Sequence, residues 1–138
     1  MKGFFMNGTM DEYNKAMAVL DDLAKEYVVW VEQDLKNLEG VYAQACAEAV
    51  DNRDNIVREN LFRIAHDMKG QGATFGYDLV TDIGNHLCRY IERQEKFDKL
   101  QMDAIETHIK ALRQIIEHKL TADGGAEGQD LKAKVEAF

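Results

Sequence analysis

Apolar residues recur at intervals near 3.6 along most of the chain, which is the spacing of amphipathic helices. Tyr13, Met17, Leu20, Ala24, Tyr27, Val31, Leu35, Leu38, Tyr42, Ala45 and Ala49 step along one helical face. One helix of that length is unusual, so the pattern predicts a short first helix over about 10–25 and a longer second one over about 27–50. Residues 1–9 read as a frayed start, with Thr9 as a cap and Glu12 completing a capping box. Gly40 interrupts the second pattern at a cost of roughly 1 kcal/mol relative to alanine. Close helix packing is the simplest reason for it.

Residues 51–55, Asp-Asn-Arg-Asp-Asn, read as a polar turn. The next helix has Leu61, Ile64, Ala65, Met68, Gly72 and Phe75 as its apolar stripe, and Gly76-Tyr77-Asp78 reads as the turn that ends it. A helix over about 78–95 puts Leu79, Ile83, Leu87, Tyr90 and Ile91 inward. After a turn at 96–98, a helix over about 98–120 does the same with Met102, Ile105, Ile109, Leu112, Ile116 and Leu120. Short turns between long amphipathic helices predict an all-α fold, an antiparallel up-and-down bundle. The glycine-rich stretch from Thr121 breaks the pattern. The domain is therefore placed at 1–120, and 121–138 is expected to be a tail that is mobile or forms one weak helix.

Composition supports this and narrows the partners. The 138 residues include no proline and are 46% hydrophobic, as suits one helical domain. The net charge of −8 leaves no basic stripe for nucleic acid and opposes an anionic membrane surface. Cys46 and Cys88 form no CxxC pair and read as small buried apolar residues in a reducing compartment. The N-terminal apolar run is too short for a signal-peptide core, and no run approaches a membrane span. The chain is read as cytoplasmic.

Candidate chemistry converges on residues 65–76. At about 100° per residue, His66 lies roughly 150° from the centre of its helix's apolar stripe and should face solvent. A solvent-facing imidazole is mostly neutral at neutral pH, so a ring nitrogen can attack phosphorus. Lys69 and Gly70 follow at i+3 and i+4, the next neighbours on that side. Lys69 can pair with an added phosphoryl group, and Gly70 leaves room for an approaching partner. Phe62 and Lys69 flank the histidine and Ala73 shares its side. Gly72 lies toward the core, where close packing explains it. Asp67, at i+1, should point away. His108 and His86 read as boundary core residues and His118 as an exposed residue near a helix end. No histidine spacing suits a metal, so no metal site is expected.

The pattern His66-x-x-Lys69-Gly70-x-x-x-x-x-Gly76, with the helix that continues to Glu92, resembles histidine-containing phosphotransfer (HPt) domains. The resemblance covers about residues 27–120 and is specific over 61–92. It implies a four-helix bundle with an additional N-terminal capping helix. It implies that His66 carries a phosphoryl group, normally on Nε2, that Lys69 supports it, and that Gly70 clears the docking face. Phe62, Arg63, Gln71 and Ala73 are then the candidate partner contacts, with Gln71 also a candidate polar neighbour of the histidine. The implied function is a bacterial-type multistep two-component phosphorelay. The partners would be response-regulator receiver domains and a hybrid sensor histidine kinase. No cofactor is expected in this chain, and magnesium would belong to the receiver. Nothing resembles a nucleotide site, so the expectation is a monomeric phosphocarrier rather than an ATP-dependent kinase. The alternative is a bundle of the same fold that serves only as a binding adaptor, its histidine never phosphorylated.

Overall fold

The computed structural model describes the backbone from Lys2 to Phe138 and side chains from Met10 onward. Among these residues there are helices and no strands. Helix α1 spans Lys2–Ala47. Helix α2 occupies residues 50–72, in which a π-helical stretch, Ile56–Leu61, joins Val50–Asn55 to Phe62–Gly72. Helices α3 (Asp78–Arg93), α4 (Lys99–Glu117) and α5 (Gly125–Glu136) follow. None of the described helices is long and apolar enough to cross a membrane.

The core lies among α2, α3, α4 and the part of α1 from Tyr27 onward. Tyr27, Val31, Leu35, Leu38 and Ala45 of α1 are buried against Leu61, Ala65 and Met68 of α2. Leu79, Ile83, Leu87 and Ile91 of α3 and Ile105, Leu112 and Ile116 of α4 complete it. Residue numbers run in opposite senses across neighbouring helices. Gly72 faces Thr81 while Ala65 faces Gly84, and the Arg58 guanidinium donates to the carbonyls of Ile91 and Gln94. Arg113 of α4 bridges Glu32 and Glu39 of α1. Arg53 fastens the far end by donating to the carbonyls of Ala45 (3.0 Å) and Phe97 (3.1 Å).

Several expectations are corrected here. The two helices expected over 10–50 are one continuous helix, because no proline or capping residue ends the first. Among the described residues there is no separate N-terminal capping helix. The frayed start is instead the beginning of α1, and Thr9 lies inside that helix rather than capping it. Tyr13, Met17 and Leu20 are exposed rather than inward, since no other element reaches that stretch of α1. Residues 51–55 are helical, and the chain turns instead at Ala49, whose backbone is extended (φ −61°, ψ 151°). Gly40 is exposed, and a Cβ there would meet nothing within 4 Å, so it serves no close packing. Cys46 is exposed; only Cys88 is buried, which pushes its thiol up to about 11.

The segment after Thr121 is also more ordered than glycine content suggested. Helix α5 buries Leu131 and Val135 against the bundle. Its glycines permit this. Gly124 adopts φ 77°, and Cβ atoms at Gly124 and Gly128 would strike the Leu79 side chain. The phenyl ring of Phe138 packs on Tyr90 and His108, with centroids 6.0 and 5.7 Å away.

Candidate functional site

The end of α2 is built to hold one helical turn firmly. Gly76, at φ 87°, takes the left-handed conformation that closes it. Tyr77 N–H reaches back to the Gly72 carbonyl (2.9 Å) and Gly76 N–H to that of Ala73 (3.1 Å), satisfying carbonyls that a helix end leaves free. From α3, the Thr81 hydroxyl donates to the Lys69 carbonyl (2.8 Å) and accepts from Ala73 N–H (2.8 Å). A Cβ at Gly72 would lie 2.9 Å from Thr81 and from the Tyr77 carbonyl, and one at Gly84 would lie 2.9 Å from the Lys69 Cβ. Both glycines therefore let α2 and α3 approach closely, as expected for Gly72.

On this platform the His66 side chain is 58% exposed. Its ring stacks on half-buried Phe62, centroid to centroid 6.0 Å. Arg63 and Gln71 are exposed on the same helix, and Ala73 on the 3-10 turn that follows it. Asp67 does not point away as expected, since its carboxylate comes within 3.9 Å of His66 Nδ1. A negative charge there favours a proton on Nδ1, which leaves Nε2 as the nitrogen with a free lone pair. Asp34 of α1 faces the same region; burial and the Asp67 carboxylate raise its pKa.

Lys69 does not reach back to the histidine. Its Nζ donates to Asn85 Oδ1 on α3 (3.1 Å). The sequence reading missed Asn85, Thr81 and the close approach at Gly84, all of which hold Lys69 from a second helix. Their 81, 84, 85 spacing marks one face of α3, but only knowledge of which helix faces α2 gives that face a meaning. Gly70 is exposed, and an added Cβ would meet nothing within 4 Å. Gln71 makes no hydrogen bond to His66, so it is not placed as the histidine's polar neighbour.

The remaining histidines are engaged. His118 pairs with Glu127. His108 is fully buried, where its Nδ1–H donates to the Ala104 carbonyl (2.7 Å). That leaves its Nε2 to accept from Nδ1–H of half-buried His86 (2.9 Å). Among the described residues, His66 is thus the histidine whose ring no hydrogen bond engages. Nor do three or more His, Cys, Asp or Glu side chains converge on a possible metal position among those residues.

Burial, with smaller contributions from His86 and Arg93, pushes His108 down to about 4, against the Ala104 bond. Between that value and ~6.5 the unfolded chain binds the extra proton and the folded chain does not. Stability should therefore be full above about pH 6.5 and fall on acidification, by roughly 3 kcal/mol from this group by pH 4. Urea unfolding at several pH values measures it. His108→Leu should flatten that part of the profile, and an unchanged slope in the variant would remove His108 as its cause.

Comparison with known proteins gives one match. The model of the Hpt domain matches residues 22–121, most of the chain. No curated protein and no solved structure matches it. Hpt domains are helical bundles that pass phosphoryl groups through a histidine in phosphorelays, and the bundle with one unengaged, exposed histidine agrees with that description. The chain belongs to the Hpt domain family.

Proposed function

We propose that this protein shuttles a phosphoryl group between aspartates of receiver domains in a multistep two-component relay, with His66 as the carrier. The observation that carries the reading is His66 itself, exposed, free of hydrogen bonds, and one turn from a lysine and an unobstructed glycine. In the accepting step, the Nε2 lone pair attacks the phosphorus of a receiver's aspartyl phosphate in line. The N–P bond forms as the bond to the carboxylate oxygen breaks, and the aspartate leaves with that electron pair. The imidazole takes up positive charge, which the Asp67 carboxylate beside Nδ1 offsets. Transfer to the next aspartate reverses these steps. Catalysis of this kind is largely positioning and charge stabilisation. Magnesium would be held by the receiver's acidic residues.

The donors and acceptors in this reading are response-regulator receivers and a hybrid sensor kinase, meeting the protein in a bacterial cytoplasm. Phe62, Arg63, Gln71 and Ala73 would line the contact around His66. The protein is then a phosphocarrier and takes nothing directly from ATP. Incubation with a panel of phosphorylated receivers tests this. Acid-labile, base-stable label should appear on the protein with at least one of them. An adaptor of the same fold would bind receivers and take no label.

Lys69 separates carrier from adaptor more finely. Its ammonium is held by Asn85 at the edge of the site and can turn to a phosphoryl group on His66. Such a charge-assisted bond is worth up to ~3 kcal/mol. Lys69→Ala should slow transfer, or destabilise the phosphohistidine, by about ten- to a hundredfold. Affinity for the unphosphorylated protein should change less. Transfer rate and binding constant measured on the same variant decide it, because an effect confined to binding is the adaptor's signature.

A further inference from the structure

The N-terminal part of α1 runs beyond the bundle and carries an apolar seam that none of the described residues covers. Met10, Tyr13, Met17 and Leu20 are 55, 56, 46 and 57% exposed, and Leu23 is also exposed. Residues 10–21 lie outside the stretch that matches the family model. Met10, Tyr13, Met17, Leu20 and Ala24 alternate in steps of three and four, the heptad spacing of a coiled-coil seam, up to Tyr27, where the helix enters the core. Charged residues keep to the flanks and the far side, where Lys15 pairs with Asp11 and Lys25 with Asp21.

We propose that this segment pairs antiparallel with the same segment of a second copy, making a dimer in place of the monomer that the sequence suggested. The seam complements itself in that orientation. Tyr13 falls level with the partner's Ala24 and Met17 with its Leu20, while Met10 falls level with the point where the partner's α1 enters its bundle and Tyr27 turns into the core. Each layer sets a large side chain against a small one or two of middling size, as interdigitated packing requires. On one flank Ala16 meets the partner's Leu23. On the other, Asn14 meets the partner's Asp21, an amide against a carboxylate with no like-charge pair.

The end of the seam has a seat as well. Where α1 enters the bundle, Ala24, Val28, Phe75 and Tyr77 line an open groove edged by Lys25 and Lys119. The partner's Met10 arrives over the apolar part, and its Asp11 and Glu12 arrive beside the lysines. Parallel pairing does none of this. It stacks Tyr13 on Tyr13 and Ala24 on Ala24, and it forces both bundles to the same end. The exposed seam from Met10 to Ala24 is about 21 Å long at ~1.5 Å per residue.

Sedimentation equilibrium on the whole chain across the micromolar range should give twice the chain mass. Leu20→Glu should weaken dimerisation by roughly a hundredfold, with helicity and the thermal midpoint of the bundle retained, because Leu20 touches no core residue. Orientation is read by disulfide trapping in a Cys46→Ser background. Tyr13→Cys mixed with Ala24→Cys should cross-link. Neither variant should do so alone, since each residue then lies eleven positions, about 16 Å, from its own copy. A monomer at all concentrations, as expected if another protein covers the seam, overturns the proposal. So does a dimer indifferent to Leu20→Glu, and cross-linking of the unmixed variants overturns the antiparallel arrangement.

Discussion

His66→Gln should lose all acid-labile, base-stable labelling by a phosphorylated receiver. Glutamine keeps polarity and approximate reach. However, its amide nitrogen has no free lone pair, so it cannot form the N–P bond. The other histidines cannot replace the missing ring. His108 is buried, His86 is half-buried and bonded to it, and His118 is paired with Glu127 near the end of α4, away from the Lys69 and Gly70 that flank His66. The fold should survive. The His66 side chain is mostly in solvent and its closest aromatic partner, Phe62, stays anchored to the core, so the stability change should stay within about 0.5 kcal/mol. Labelling and urea unfolding on one preparation keep the two effects apart. If the variant still takes label at the wild-type rate, the carrier is another residue. If it unfolds, the exposed position of His66 is wrong.

How far the sequence carried the reading depends on what kind of fact each residue expresses. Leu79, Ile83, Leu87 and Ile91 were placed inward from spacing alone, and all four are buried. That inference holds wherever a helix is short and enclosed by neighbours. The same spacing misplaced Tyr13, Met17 and Leu20. Periodicity records that a helix has an apolar face, and says nothing of what covers it. The exposure of His66 and the turn at Gly76 were legible because both are local, one a matter of helical angle and the other of φ. The fixing of Lys69 by Asn85, and the contact of His86 with His108 across 22 residues, were not. Each depends on which faces of two helices meet. The burial of α5 was hidden for a related reason. Leu131 and Val135 are few, and their seat against the bundle needs glycines that, read in sequence, look like breaks.

Glycine is also the subject of the sharpest test of the docking face. Gly70, Gly72 and Gly84 all lie in helices, and helical angle alone assigned Gly70 to access and Gly72 to packing. A Cβ at Gly72 or Gly84 would come within 2.9 Å of the facing helix, whereas one at Gly70 meets nothing. Nothing inside the protein therefore requires Gly70 to lack a side chain. Gly70→Gln should leave stability unchanged or raise it, since a helix-interior glycine costs ~0.5–1 kcal/mol relative to better helix formers. Gly72→Gln should destabilise the bundle, because the clash is with backbone atoms. Transfer should respond in the opposite order. A side chain at 70 stands one turn from His66, where a receiver must bring its aspartyl phosphate to about 3–3.5 Å from Nε2, and a displacement near 1 Å can cost ~10²-fold in rate. Gly70→Gln should thus slow phosphotransfer by at least about a hundredfold, with Gly70→Ala between it and the wild type. A Gly70→Gln protein that transfers normally would place the receiver elsewhere on the surface. One that melts early would make Gly70 a packing residue after all.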